Sequence, residues 1–197
     1  MASKSRQTSG QAGPNADSRN SRADWIRAGL SLLMKSGIGA VRVEPLALRL
    51  GVTKGSFYWH FKDRAELHAA MLDEWHAATT GNIIDDVDRE VLDGRARLRQ
   101  LIVRVPSEPK VARLETAVRS WATSDDKARK TVALVDKRRV DYVSSALQEI
   151  GIDTATAQLR ARIIHLALIG GFFTATTTHV MPEPEFWAEV EKLLAKV

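Results

Sequence analysis

The chain contains no cysteine. Disulfides, thiolate nucleophiles and cysteine-based zinc or iron–sulfur sites are therefore excluded. Aromatic residues make up only 6% of the 197 residues, with two Tyr, five Phe and five Trp. No early apolar run resembles a secretory signal, and none is long and uncharged enough to cross a membrane. The longest candidate, Ile163 to Ala175, is broken by His165 and two glycines. The cytoplasm is the expected compartment, with no membrane partner. G-x-S-x-G, the P-loop, G-x-G-x-x-G and paired carboxylates in apolar surroundings are all missing. Asp73 and His76 stand three apart, as metal ligands can, but nothing completes a set. No catalytic residue, metal or cofactor is expected, and an enzyme built on a helical bundle is the weakest of the readings below.

What remains is 44% hydrophobic and 27% charged, the composition of one or two soluble domains. The net charge of +5 is unevenly placed. Through His68, 11 Lys and Arg face 5 Asp and Glu; beyond it, 18 face 19. All the excess positive charge lies in the first third, as phosphate binding requires.

That third contains Val43 to Phe61, V-E-P-L-A-L-R-L-G-V-T-K-G-S-F-Y-W-H-F. Leu46, Ala47 and Leu50 mark the apolar face of a short helix. Gly51 falls where a helix end turns left-handed, with Val52 placed to pack back. Thr53 can cap the next helix, expected over Lys54 to Phe61, through its hydroxyl. Phe57 and Phe61 face inward. Two short helices across a glycine turn form a helix-turn-helix. Its outer face is left with Lys54, Gly55, Ser56, Tyr58, Trp59 and His60, rings and small residues with no acid among them. Such a face suits DNA: small residues allow close approach, and Tyr, His and Lys supply donors.

The run G-V-T-K-G-S-F-Y-W-H-F-K, followed by D-R-A-E-L, resembles the recognition segment of tetracycline-repressor (TetR) family regulators. The resemblance covers about Trp25 to Leu72; beyond that only the layout agrees. It implies an all-α protein, with an N-terminal three-helix helix-turn-helix domain followed by a helical-bundle domain for ligand binding and dimerisation. In the family a Thr or Ser usually caps the helix beginning near Val43. Here Arg42 stands there, a departure that gives up the cap and offers a phosphate contact instead.

In chain order, Met1 to Ser21 is polar and expected to be a disordered basic tail. Residues 22–68 form the DNA-binding domain, and 69–197 the body. Arg22 to Ser36 reads as a helix with Ile26, Leu30, Leu33 and Met34 on one face. Asp63 and Glu66 form a capping box opening a helix from Arg64 to about Thr79, with Lys62 just ahead. Further helices are expected over Ile84 to Val105 (interrupted near Gly94), Lys110 to Thr123, Asp126 to Ile150, Thr154 to Thr178, and from Pro184 onward, with a loop at Pro106 to Pro109. The run Lys137-Arg138-Arg139 reads as a solvated face.

Thr154 to Thr178 is apolar nearly all round between Ile163 and Phe173, so it must be covered on every side. A second subunit is the natural cover, approaching over Ala167, Gly170, Gly171 and Ala175, with Trp187 of the last helix close by. Helix-turn-helix proteins read paired half-sites, which also favours a homodimer. Trp75, His76, Trp121, His165, Phe172 and Phe173 are candidates for the wall of a ligand pocket, which the resemblance places among the middle helices; plain core packing is the alternative for each. The expected function is a dimeric repressor of a pseudo-palindromic double-stranded operator, released by a small apolar or amphipathic effector. Its DNA contacts would be Arg42, Thr53, Lys54, Gly55, Ser56, Tyr58, Trp59, His60 and Lys62. The rival is a ligand-independent DNA-binding regulator whose body serves dimerisation alone.

Overall fold

The computed structural model describes residues 20–90, 93–104, 109–178 and 183–194. Among them lie ten α-helices and no strand: α1 (Arg22–Ser36), α2 (Val43–Leu50), α3 (Lys54–Tyr58), α4 (Arg64–His76), α5 (Asn82–Glu90), α6 (Gly94–Arg104), α7 (Pro109–Ala122), α8 (Asp126–Glu149), α9 (Thr154–Thr178) and α10 (Pro184–Leu194). The tail through residue 19 and the loop expected at 106–108 lie outside the described residues; Pro109 already belongs to α7.

Local chemistry sets the first helices. Ser21 caps α1 in a reciprocal box, its hydroxyl accepting from the Asp24 amide while the Asp24 carboxylate accepts from the Ser21 amide. α2 ends at Gly51, whose φ of 68° is left-handed, and the Val52 amide returns to the Ala47 carbonyl at 3.0 Å. Asp63 caps α4 by accepting from the Glu66 amide at 2.8 Å. The Glu66 carboxylate takes the Lys62 amide, also at 2.8 Å.

Trp25, fully buried, meets Phe57 edge-on at 5.3 Å, and Phe57 stacks on Phe61 at 5.4 Å. The cluster does not stop at the expected 68/69 boundary. It continues through Leu67, Met71 and Trp75 into Leu114, Val118 and Trp121 of α7 and Val132 and Val135 of α8. One apolar core thus serves the helix-turn-helix and half of the body.

α4 and α5 are one unbroken helical run. Between them Ala77–Gly81 forms a π turn, in which the Asn82 amide reaches back to the Ala77 carbonyl, so no gap opens between Thr79 and Ile84. The Thr79 hydroxyl donates to the Trp75 carbonyl at 2.7 Å, a local bond of the kind that bends helices. The break at Gly94 has a packing cause. A Cβ there would stand 2.2 Å from the Ala146 carbonyl oxygen of α8, so only glycine admits this crossing.

α9 packs on α8 through Ala157 and Ala161 and on α7 through Phe172 and Ala175. Its opposite side carries Leu159, Ile163, Leu166 and Phe173, all exposed. With Gly170 they repeat at alternating spacings of four and three. The uncovered face is therefore built of large side chains. Gly170 lies on it with nothing within 4 Å of its virtual Cβ, whereas Ala167 and Gly171 are half-buried at its edge and Ala175 is buried. Trp187 does not belong to it. At 4% exposure it is enclosed by the chain's own body, because α10 folds back on α6 and α9.

Candidate nucleic-acid interface and body cavity

The outer side of α3 carries Lys54, Gly55 and Tyr58, and Trp59 and His60 continue it as a turn, since the α-helix spans only five residues. Trp59 is 86% exposed and Tyr58 57%, while Trp25, Phe57 and Phe61 behind them are at 0–1%. Arg42 and Lys62 flank this surface and are also exposed. Arg42 is the N-cap residue of α2, with no side-chain capping bond.

One expected contact and one expected cap are corrected. Ser56 is 1% exposed and faces the core beside Phe57, with no hydrogen-bond partner for its hydroxyl. A five-residue helix wedged between neighbours buries two adjacent positions, and Ser56 is small enough for the tighter one. Thr53 is the N-cap residue of α3 but does not cap it with its hydroxyl; the Ser56 amide goes to the Thr53 carbonyl at 3.1 Å instead. One charged residue on this side escaped sequence reasoning. Glu44, in the first turn of α2, holds the Lys54 ammonium at 2.5 Å. The outer face lacks acids in sequence order but acquires one in space.

The body holds a partly open cavity of about 80 Å³ bounded by the π turn, α5, α6, α8, α9 and α10. Ile83, Leu101, Val143, Ile164, Leu168 and Trp187 make it apolar; Thr79, Thr80, Arg139 and His165 give it one polar side. The Trp187 indole N–H, although buried, has no partner.

Behind the polar side runs a chain of ions, buried at Glu115 and half-buried at Arg119, Asp136 and Arg139. Glu115, wholly enclosed, accepts from Trp75 Nε1 at 3.0 Å, Arg119 Nε at 2.9 Å and Arg139 Nη1 at 2.8 Å. Arg119 also grips Asp136 at 2.5 and 3.0 Å, and His165 Nε2 lies 3.2 Å from the same carboxylate. Arg139 donates through Nε to the Thr80 hydroxyl at 2.7 Å and through Nη2 to that of Thr79 at 3.0 Å. Burial pushes the Glu115 carboxyl up, but Arg139 and Arg119 outweigh it and hold the group below its ordinary value. Burial opposes ionisation of Asp136 too, yet His165 and Arg119 keep it far below the usual carboxylate range.

Of the six pocket candidates, His165 lines the cavity. Trp75 is a core residue tied to Glu115, with the Arg139 guanidinium 5.7 Å from its ring. Trp121 packs edge-on against His68 at 5.2 Å. His76 turns away toward Arg138 Nη1, 3.3 Å distant. Phe172 is buried beside Ala112 and Ala175, and with the exposed Phe173 it borders a separate groove between α7 and α9. Arg139 was the residue missed. Its position four after Val135 and four before Val143 places it on the inward face, a spacing that outranks its membership of a basic run.

Residues 26–71 match the family described as bacterial regulatory proteins, tetR family. The match takes in α2, α3 and parts of α1 and α4, 46 of the chain's 197 residues. It is 29% identical over 92 residues to the HTH-type transcriptional regulator TtgR of Pseudomonas putida, a match covering 47% of this chain and 44% of that protein. Against the class A tetracycline repressor protein from transposon 1721 of Escherichia coli it is 37% identical over 105 residues, 47% of this chain and 48% of the other. These matches span less than half the length of the curated relatives. The TetR-like architecture extends further. The fold superposes on the transcriptional regulator FadR of Bacillus subtilis, solved in complex with stearoyl-CoA, with a TM-score of 0.68 at 16% identity, over 89% of this chain and 98% of that one. Among the described residues no helix is long and apolar enough to cross a membrane, and no group of three or more His, Asp or Glu is arranged to hold a metal.

Proposed function

We propose that the chain is a homodimeric transcriptional repressor that docks α3 into the major groove of a pseudo-palindromic operator and is released by a small amphipathic effector. The observation carrying this is the display of Trp59 and Tyr58 on a unit whose other aromatics are wholly buried. Exposing two large rings costs apolar burial, and a partner surface repays it. Lys54, Gly55 and Trp59 face the bases; Arg42, Tyr58, His60 and Lys62 hold phosphates. The apolar stripe of α9 is the dimer face, and it sets the two recognition helices at the half-site spacing of about 34–36 Å.

The effector occupies the body cavity, with its polar end toward Thr80, His165 and the unpartnered Trp187 N–H. One ordered element carries the signal: the π turn that lines the cavity continues into α4, whose other end begins just after the recognition helix. The effector acts by binding the DNA-incompetent state more tightly, so operator must weaken effector binding by the same factor.

The test is selection of random duplex DNA by the full chain, then binding of the enriched duplex across a salt series. Lys62→Ala should reduce the slope of log affinity against log salt by about 1 per half-site at unchanged base preference. An unchanged slope removes Lys62 from the phosphate contacts. A second reading, a constitutive regulator without effector, draws on the cavity's size. About 80 Å³ is well below the roughly 300 Å³ at which ligand pockets begin. Equal effector affinity with and without saturating operator would favour that reading.

A further inference from the structure

Four acids lie among the described residues of the helix-turn-helix unit, and three are accounted for by architecture. Asp24 and Asp63 cap α1 and α4, and Glu66 holds the Lys62 amide and the Arg22 side chain at 3.3 Å. Glu44 differs. It stands on the exposed side of α2, its side chain 64% accessible, with Oε1 against the Lys54 ammonium, itself 55% accessible. Lys54 opens α3, so the pair joins the two helices of the motif at the edge of the surface that displays Tyr58 and Trp59. A carboxylate here repels every phosphate of a bound duplex, and an exposed ion pair adds little stability in return. Its placement is explained if something in the groove needs an acceptor.

The major-groove edge of a G·C pair supplies that need. Guanine presents the O6 and N7 acceptors, and the cytosine N4 amino group is a donor beside them. O6 and N4 are themselves joined by a base-pairing hydrogen bond, so they stand about 2.9 Å apart. The Lys54 Nζ and Glu44 Oε1 atoms are 2.5 Å apart. A donor and an acceptor so spaced meet an acceptor and a donor so spaced, in the complementary order. We infer that Lys54 and Glu44 read one G·C base pair together, Lys54 donating to guanine and Glu44 accepting from the cytosine N4 amino group. The inference rests on the operator-binding reading above and adds a specificity-determining residue on α2, outside the recognition helix. The proton inventory agrees with it: the bond from Lys54, then the residue's own amide, hold the Glu44 carboxyl below its ordinary value, and the Glu44 bond raises Lys54. Both groups thus arrive at the groove charged.

The experiment is selection of random duplexes by full-length wild type, Glu44→Ala, Glu44→Gln and Lys54→Met, with affinity for a non-enriched duplex measured alongside. Wild type should require G·C at one position of each half-site. Glu44→Ala should lose on the order of tenfold discrimination at that position alone, while binding the non-enriched duplex more tightly, because an anion has been removed. Lys54→Met should relax the same position but bind the non-enriched duplex more weakly. Glu44→Gln keeps the length and a backbone-bonding oxygen, and carries the test if the alanine variant melts early; it should lose the cytosine requirement, since a Gln amide favours adenine. An unchanged base profile in both Glu44 variants would make the residue a surface charge and overturn the inference. Relaxation at different positions in the Glu44 and Lys54 variants would overturn joint reading. If wild type enriched no motif at all, the operator-binding reading itself would fall.

Discussion

The helix-turn-helix unit and the body spend their polar residues in opposite directions. In the unit, acids sit at helix ends and bases and rings point outward. Ser21, Asp24, Asp63 and Glu66 all serve backbone amides within a few residues of themselves, and the core behind them is Trp, Phe, Leu and Met. In the body, charge goes inside. Glu115, Arg119, Asp136 and Arg139 join α7 to α8, with Thr79 and Thr80 of the π turn attached. On the proposed reading the unit meets a polyanion, and simple, outward electrostatics suit that task. The body instead uses an ion chain centred on the buried Glu115, and such a chain is sensitive to the loss of its buried member because desolvated charge is left unpaired.

The comparison breaks most visibly at Glu115. Glu115→Ala leaves the Arg139 and Arg119 guanidinium groups without their shared buried acceptor, and about 3–5 kcal/mol of stability should be lost. Chemical denaturation of the two proteins measures this directly; a loss under about 1 kcal/mol would mean that water reaches the site and the ions are not truly buried. Next in size is the equivalent deletion in the unit. Ser21→Ala removes one cap from α1 and should cost about 1 kcal/mol, read by the same denaturation. If the two costs came out alike, the contrast drawn between local and long-range polar groups would fail.

The smallest effect lies at the seam between the regions. His68 of α4 packs on Trp121, and burial, opposed by its bond to Val41, depresses its pKa from the ordinary value of 6.5. Arg64 depresses it further, while Asp125 acts in the opposite sense. A folded-state pKa below the unfolded one means that the unfolded chain binds the proton more readily. This contribution to stability is therefore present above about pH 6.5 and is lost as pH falls from there through the lower folded-state pKa. Melting temperature should decline between pH 7 and 5.5, and less steeply in His68→Gln. Part of the decline will persist, because burial, Arg138 and Arg139 depress His76 as well. Identical slopes in the two proteins would show His68 to be solvated.

The same contrast explains what could be read from the sequence. The all-α fold was legible, and so was the likeness of the first helices to the tetR family, because their signals are local: the left-handed Gly51, the cap at Asp63, the spacing of Phe57 and Phe61. Ser56 misled because a helix of five residues cannot be assigned faces from periodicity alone. Most of the cavity wall stayed hidden for another reason. Arg139 is paid for by Glu115 on a different helix, and no window of sequence contains both. The aromatics of the body, scarce and conspicuous, drew attention to Trp75 and Trp121, which fill the common core, and away from the threonines of the π turn. A π turn has no compositional mark, and Thr79 and Thr80 look like the end of a helix until the next one is seen to continue it.

The core that runs from Trp25 to Val135 without a break bears on modularity. A boundary drawn at residue 68 would cut through packed side chains and strip Leu67 and Trp25 of the neighbours beyond it. Heads and bodies of such proteins are thus poor candidates for exchange at the end of the DNA motif. A transplant that kept its footing would have to carry α4 and the facing surfaces of α7 and α8 with it. Under heat the described helices should come apart in one step, with no stage at which a free helix-turn-helix unit survives its body.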